Sequence, residues 1–153
     1  MSMDIRASFE NIPKKGQLVY VDDEHQNIFL FERYFGEHFN LKCISSPIEA
    51  MKFVEGNDSV LVVVTDHSMP SMTGLEMAKQ IKEKKNYVKL IMITGNPEND
   101  DQLMYNSLKE NVFFDFINKP LDFENKFDLY LETIKKAFCG AWESFSLLHP
   151  TKS

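Results

Sequence analysis

Short apolar runs and amphipathic stretches alternate along the chain. Residues 18–21 form an apolar run that ends abruptly in Asp22, Asp23 and Glu24. Ile28, Phe31 and Phe35 follow at helical spacing, with Leu30 and Tyr34 beside them. Residues 41–45 read as a second strand. Pro47 is placed to open a second helix that carries Ala50, Met51 and Val54, because proline suits a first helical position, where no amide hydrogen is needed. Residues 60–65 are continuously apolar and rich in β-branched side chains, the pattern of a strand covered on both faces, and the run stops at Asp66. The loop of residues 67–73 leads into a helix from about Gly74 to Lys84. Residues 90–93 make a fourth strand ending at Thr94, and Asn96-Pro97 marks a turn. Leu103, Met104 and Leu108 supply a fourth helix, and residues 113–117 a fifth strand ending before Asn118, Lys119 and Pro120. A last helix places Phe127, Tyr130 or Leu131, Ile134 and Phe138 on one stripe.

Five strand–helix units in succession imply an α/β domain with a parallel sheet and helices on both faces. The pattern occupies residues 16–138. Residues 1–15 precede it as an N-terminal extension. Residues 139–153 follow it as a tail that extends the last helix, packs back on the domain, or begins a linker.

In a doubly wound sheet, ligands bind outside the carboxyl ends of the strands. Those ends deliver Asp22 and Asp23 from strand one, Asp66 from strand three, Thr94 from strand four and Lys119 from strand five. Three carboxylates without a counter-charge repel and raise one another's pKa values. The arrangement makes sense with a hard divalent cation among them. Mg²⁺ favours oxygen ligands and binds through a few carboxylates plus a phosphate. A carboxylate is also a covalent acceptor for phosphoryl groups, and a metal and a lysine neutralise charge on the transferred oxygens. Taken singly, each residue has a plainer reading. Asp22-Asp23 caps a helix, Asp66 opens a loop, Thr94 belongs to a turn, Lys119 is a solvated surface lysine, and Pro120 stops a strand. Their coincidence at the strand ends carries the argument.

Composition narrows the class further. The formal net charge of −6 argues against direct nucleic-acid binding, which needs a basic face. Cys43 and Cys139 have no metal-like spacing and read as free thiols of a cytoplasmic protein. No apolar run approaches the length that spans a bilayer. The 13 phenylalanines read as aromatic core packing. His67 reads as an exposed loop residue.

Five segments, in order and at matching spacing, resemble the receiver domains of two-component response regulators. They are Val19-Tyr20-Val21-Asp22-Asp23-Glu24, Val64-Thr65-Asp66-His67-Ser68-Met69-Pro70, Met72-Thr73-Gly74-Leu75-Glu76, Ile93-Thr94-Gly95 and Phe116-Ile117-Asn118-Lys119-Pro120. The resemblance implies a flavodoxin-like five-stranded sheet of order 2-1-3-4-5 with five helices. It implies that Asp66 is the phosphoacceptor, that Asp23 binds Mg²⁺ directly, that Asp22 supports it through water, and that the Ser68 carbonyl is a further ligand. Lys119 would pair with Asp66 and then with the phosphoryl group, and Thr94 would hydrogen-bond a phosphoryl oxygen. Thr94 and Phe116 would form the switch, while Pro70, Gly74 and Pro120 shape the loops. The implied partners are a sensor histidine kinase or phosphotransfer protein, and a downstream protein or output domain at the fourth helix, fifth strand and fifth helix. A homodimer stays open, and neither nucleic acid nor membrane contact is expected.

The stretch Glu110-Asn111-Val112-Phe113-Phe114 departs from the Gly-Ala pair that many receivers carry there. A phosphohydrolase of the haloacid-dehalogenase type is the enzyme alternative, but Asp22 is followed two residues on by Glu24, not by a second Asp. A binding-only pseudo-receiver usually loses acidic or lysine positions, and none is lost here. The chain therefore reads as a phosphate acceptor and not as a turnover enzyme.

Overall fold

The computed structural model of the chain describes residues 9–95, 106 and 110–149. Five strands appear: β1 (Gln17–Val21), β2 (Asn40–Ile44), β3 (Val60–Asp66), β4 (Lys89–Thr94) and β5 (Asp115–Asn118). The helices are α1 (His25–Phe35), α2 (Pro47–Gly56), α3 (Gly74–Lys84) and α4 (Phe123–Leu148). All strand pairs are parallel, in the order β2-β1-β3-β4-β5. This is the expected flavodoxin-like order. The described residues hold four helices, not five; the helix expected around Leu103, Met104 and Leu108 falls outside them.

α1 packs with α4, and α2 with α3, so the two pairs form the layers that cover the sheet. The central strand β3 is buried along all seven residues, which is why it reads as one uninterrupted apolar run. Local chemistry sets the helix starts. The Ser46 hydroxyl accepts from the Glu49 amide ahead of Pro47. Thr73 and Glu76 make a reciprocal capping box for α3, and Asp122 caps α4 through the Asn125 amide.

The phenylalanines cluster where α1 meets α4. Phe35 is fully buried and lies 4.7 Å from Phe31, 5.9 Å from Phe123 and 5.1 Å from Phe127, measured between ring centroids. Near the foot of this layer, Phe9 sets its edge against both Phe39 and Phe138.

One strand boundary differs from expectation. β5 begins at Asp115, not at 113. Asn111 takes a left-handed φ of 58° and turns the chain, and Phe113 is buried ahead of the strand. An apolar side chain in an approach loop looks like a strand residue. For residues 139–148 the structure takes one of the expected alternatives: α4 continues unbroken through Leu148, with Ala141 buried and Phe145 against Tyr87 at 5.0 Å. Among the described residues, no helix is long and apolar enough to cross a membrane.

Candidate functional site

The sheet brings together the polar residues at its strand ends. Asp22 follows β1 and is buried, Asp23 beside it is half-buried, β3 ends on buried Asp66, and β4 ends on buried Thr94. Asp22, Asp23 and Asp66 each offer a carboxylate oxygen, and the three oxygens lie within 4.8 Å of one another. Lys119 follows β5. Its amide donates to the Thr94 carbonyl at 2.8 Å, and its ammonium sits 2.8 Å from Asp66 Oδ1. Three carboxylates thus face one ammonium.

The charges respond as this crowding requires. Burial pushes the Asp66 carboxyl above its ordinary range; the Lys119 contact opposes that, and Asp22 adds to it. For Lys119, burial lowers the ammonium, but the contact with Asp66 and the fields of Asp22 and Glu24 outweigh it, so its pKa stands above the usual value. The buried carboxylate is therefore only partly compensated by the chain itself.

The surrounding loops hold this geometry through close approaches. Gly74 donates to the His67 carbonyl at 2.9 Å, and a Cβ on Gly74 would fall 2.6 Å from the Asp66 carbonyl oxygen. A Cβ on Gly95 would fall 2.9 Å from Lys119 Cδ, so this glycine clears the path of the lysine stem. Pro70 accepts from the Met72 amide at 2.8 Å, with Ser71 between them at a φ of 67°. The Lys119-Pro120 peptide bond is cis.

The oxygen set fits a hard divalent cation. No hydrogen bond or ion pair among the described residues engages the Asp23 carboxylate, so its oxygens are available to a metal. Asp22 is already committed: Oδ2 accepts from Tyr20 and Asn27, and Oδ1 from the Glu24 amide. It does not cap α1 with its side chain; the N-cap is Glu24, which makes no side-chain cap hydrogen bond. Ser68 lies exposed in the loop after Asp66, and no hydrogen bond among the described residues uses its carbonyl.

Phe116 is half-buried, 5.4 Å from Phe113. In the register Met92 pairs with Phe116 and Thr94 with Asn118. Thr94 and Phe116 therefore share one face of the sheet, two residues apart.

His67 corrects the reading of an exposed loop residue. It is half-buried, and its Nδ1 is buried without a hydrogen-bond partner. Its backbone is held on both sides, by the Ile93 carbonyl and the Gly74 amide, which draws the ring inward.

Two contributors were not assigned a role from the sequence. Tyr20 donates its hydroxyl to Asp22 Oδ2 at 2.7 Å, and Asn27 Nδ2 donates to the same oxygen at 3.0 Å. Burial, then Asp22, push the Tyr20 phenol far above its ordinary pKa, so it stays a donor. The period of two along β1 places Tyr20 and Asp22 on one face, a signal the sequence does contain. A separate cavity of about 700 Å³, lined by Lys82, Tyr87, Lys89 and Phe113 among others, contains none of these groups.

Comparison with known proteins agrees with the geometry. The response regulator receiver domain family matches residues 18–129. The hydrogenase transcriptional regulatory protein HoxA of Bradyrhizobium diazoefficiens is 28% identical over 123 residues, covering 80% of this chain and 24% of that protein. A chemotaxis protein CheY homolog of Campylobacter jejuni is 33% identical over 73 residues, covering 48% of this chain and 55% of that one. This chain spans about a quarter of the length of HoxA. Among solved structures, the signal receiver domain of an HD domain-containing protein from Pseudomonas fluorescens superposes with a TM-score of 0.76 at 16% identity, covering 89% of this chain and 96% of that one. The beryllofluoride-activated NtrC4 receiver domain dimer superposes with a TM-score of 0.69 at 24% identity, covering 82% and 98%. These two share the fold. The family match spans most of the chain and contains Asp22, Asp23, Asp66, Thr94 and Lys119, and the chain belongs to the response regulator receiver domain family.

Proposed function

We propose that this chain accepts a phosphoryl group on Asp66 from a phosphohistidine of a sensor histidine kinase or phosphotransfer protein in the cytoplasm, and that the transfer requires Mg²⁺. The observation that carries this reading is the buried Asp66 carboxylate, held 2.8 Å from Lys119 beside Asp22 and Asp23. In the transfer, an Asp66 oxygen forms a new P–O bond as the P–N bond to the donor imidazole breaks. Lys119 neutralises charge on the phosphoryl oxygens. Asp23 would hold the metal directly, Asp22 would support it, and the Ser68 carbonyl would complete the protein's share. Bound Mg²⁺ supplies positive charge against the transferred oxygens. Pro70, Gly74 and Pro120 keep the surrounding loops in place.

The division between the two aspartates has a measurable consequence. Asp23→Ala will weaken Mg²⁺ binding more than Asp22→Ala, because the Asp22 oxygens are largely engaged by Tyr20, Asn27 and Glu24. A Mg²⁺ titration followed by amide chemical shifts measures both, and equal losses would remove the distinction.

Phosphate becomes a signal through Thr94 and Phe116 in this reading. Thr94 moves toward a phosphoryl oxygen, and the half-buried Phe116 ring follows into the space behind it. The coupling is worth about 1–3 kcal/mol, in the usual range for a two-state switch. The changed face, around β5 and the start of α4, is read by a downstream protein, an output domain or a second copy of the chain. The NtrC4 receiver is a dimer in its beryllofluoride-activated form. With beryllofluoride and Mg²⁺, amide shifts will therefore move across residues 113–130 as well as at Asp66. Changes confined to the loops around Asp66 would show that the signal leaves by another face.

A further inference from the structure

Tyr20 lies on β1 two residues before Asp22, and its ring is fully buried, stacked on Phe31 at 3.9 Å and 7°. This packing fixes the direction of the hydroxyl, which donates to Asp22 Oδ2 at 2.7 Å. Asn27 Nδ2 donates to the same oxygen at 3.0 Å, while Oδ1 accepts only from the Glu24 amide, at 2.9 Å. A carboxylate offers about four lone-pair sites, two on each oxygen. Oδ2 is filled, and Oδ1 keeps one site.

Resting on the metal-dependent reading above, we propose that Tyr20 is a positioning residue for the metal site: its buried phenol, together with Asn27, holds Asp22 so that Oδ1 alone remains to serve bound Mg²⁺. Packing does not need the hydroxyl, since phenylalanine fills the same space and keeps the stack on Phe31. The hydroxyl finds its partner in Asp22, a residue whose own solvent exposure is 1%. Without this donor the buried carboxylate keeps only the Asn27 and Glu24 bonds, and Oδ1 is held less firmly in one orientation. Partners that orient a metal-binding group typically change affinity by about 10- to 100-fold when removed.

The test is a double-mutant cycle on Mg²⁺ affinity, read from the amide shifts of Asp23 and Asp66 as Mg²⁺ is added to the full chain. Tyr20→Phe is expected to weaken binding about tenfold. In an Asp22→Ala background the same change is expected to do nothing further, because the group it orients is gone. Asn27→Ala, at a half-buried position, is expected to weaken binding in the same direction, and it tests the inference even if Tyr20→Phe folds poorly. Wild-type affinity in Tyr20→Phe would overturn the inference and leave the phosphoacceptor reading intact; if Tyr20→Phe does not fold, wild-type affinity in Asn27→Ala would do the same. Equal losses from Tyr20→Phe with and without Asp22 would assign the effect to general packing, and would also overturn it. A wild-type chain that binds no Mg²⁺ would overturn both this inference and the reading beneath it.

Discussion

Lys119→Ala will still bind Mg²⁺ but will accept a phosphoryl group from a small donor about 10²–10³ times more slowly, the usual loss when one preorganised donor to a developing anion is removed. The ammonium lies 2.8 Å from Asp66 Oδ1, and its stem passes over Gly95. Its removal takes a positive charge from beside three carboxylates, so Mg²⁺ binding is kept or tightened. Loss of transfer with retained Mg²⁺ binding is thus the signature of a residue that acts on the phosphoryl group. Parallel loss of both would instead make Lys119 a structural support. Stopped-flow measurement of phosphorylation, with a Mg²⁺ titration of the same variant, separates the two outcomes.

Phe35→Ala will destabilise the fold by about 3–5 kcal/mol, in the range for truncating a buried aromatic. Phe35 is fully buried and touches Phe31, Phe39, Phe123 and Phe127, so it joins α1 to α4 across one layer. For a domain of this size, the loss lowers Tm by roughly 6–20 °C, at about 2–4 °C per kcal/mol. Calorimetric unfolding measures it. A drop of only a degree or two would mean that the aromatic layer closes around the vacancy and that no single ring anchors it.

The centre of the sheet was legible because β1, β3 and β4 are buried on both faces. β3 shows this most plainly, with an apolar run that stops where the charge of Asp66 reaches the end of the sheet. The site was legible for the same reason. Asp22, Asp66, Thr94 and Lys119 are polar residues at the ends of apolar runs, and parallel topology places such ends together. What escaped depended on how the backbone turns and docks outside the regular elements. His67 looks exposed in a polar loop, yet the Ile93 carbonyl and the Gly74 amide pull its backbone against the domain. Phe113 and Phe114 read as strand, although the left-handed turn at Asn111 delays β5 until Asp115. The extension of α4 was present in the pattern: Phe138, Ala141, Trp142 and Phe145 continue the helical spacing. The bond from Tyr20 to Asp22 was also accessible, through the two-residue period of a strand.

Asp66 as the phosphoacceptor, with Mg²⁺ required for its phosphorylation, is open to direct test. The direct measurement is incubation with acetyl phosphate, with and without Mg²⁺, followed by intact-mass analysis and peptide mapping of the modified residue. One added phosphoryl group is expected, located on Asp66, formed with Mg²⁺, suppressed by excess chelator and absent from Asp66→Asn. A phosphoryl group that persists in Asp66→Asn, or that forms equally well in excess chelator, would contradict this assignment.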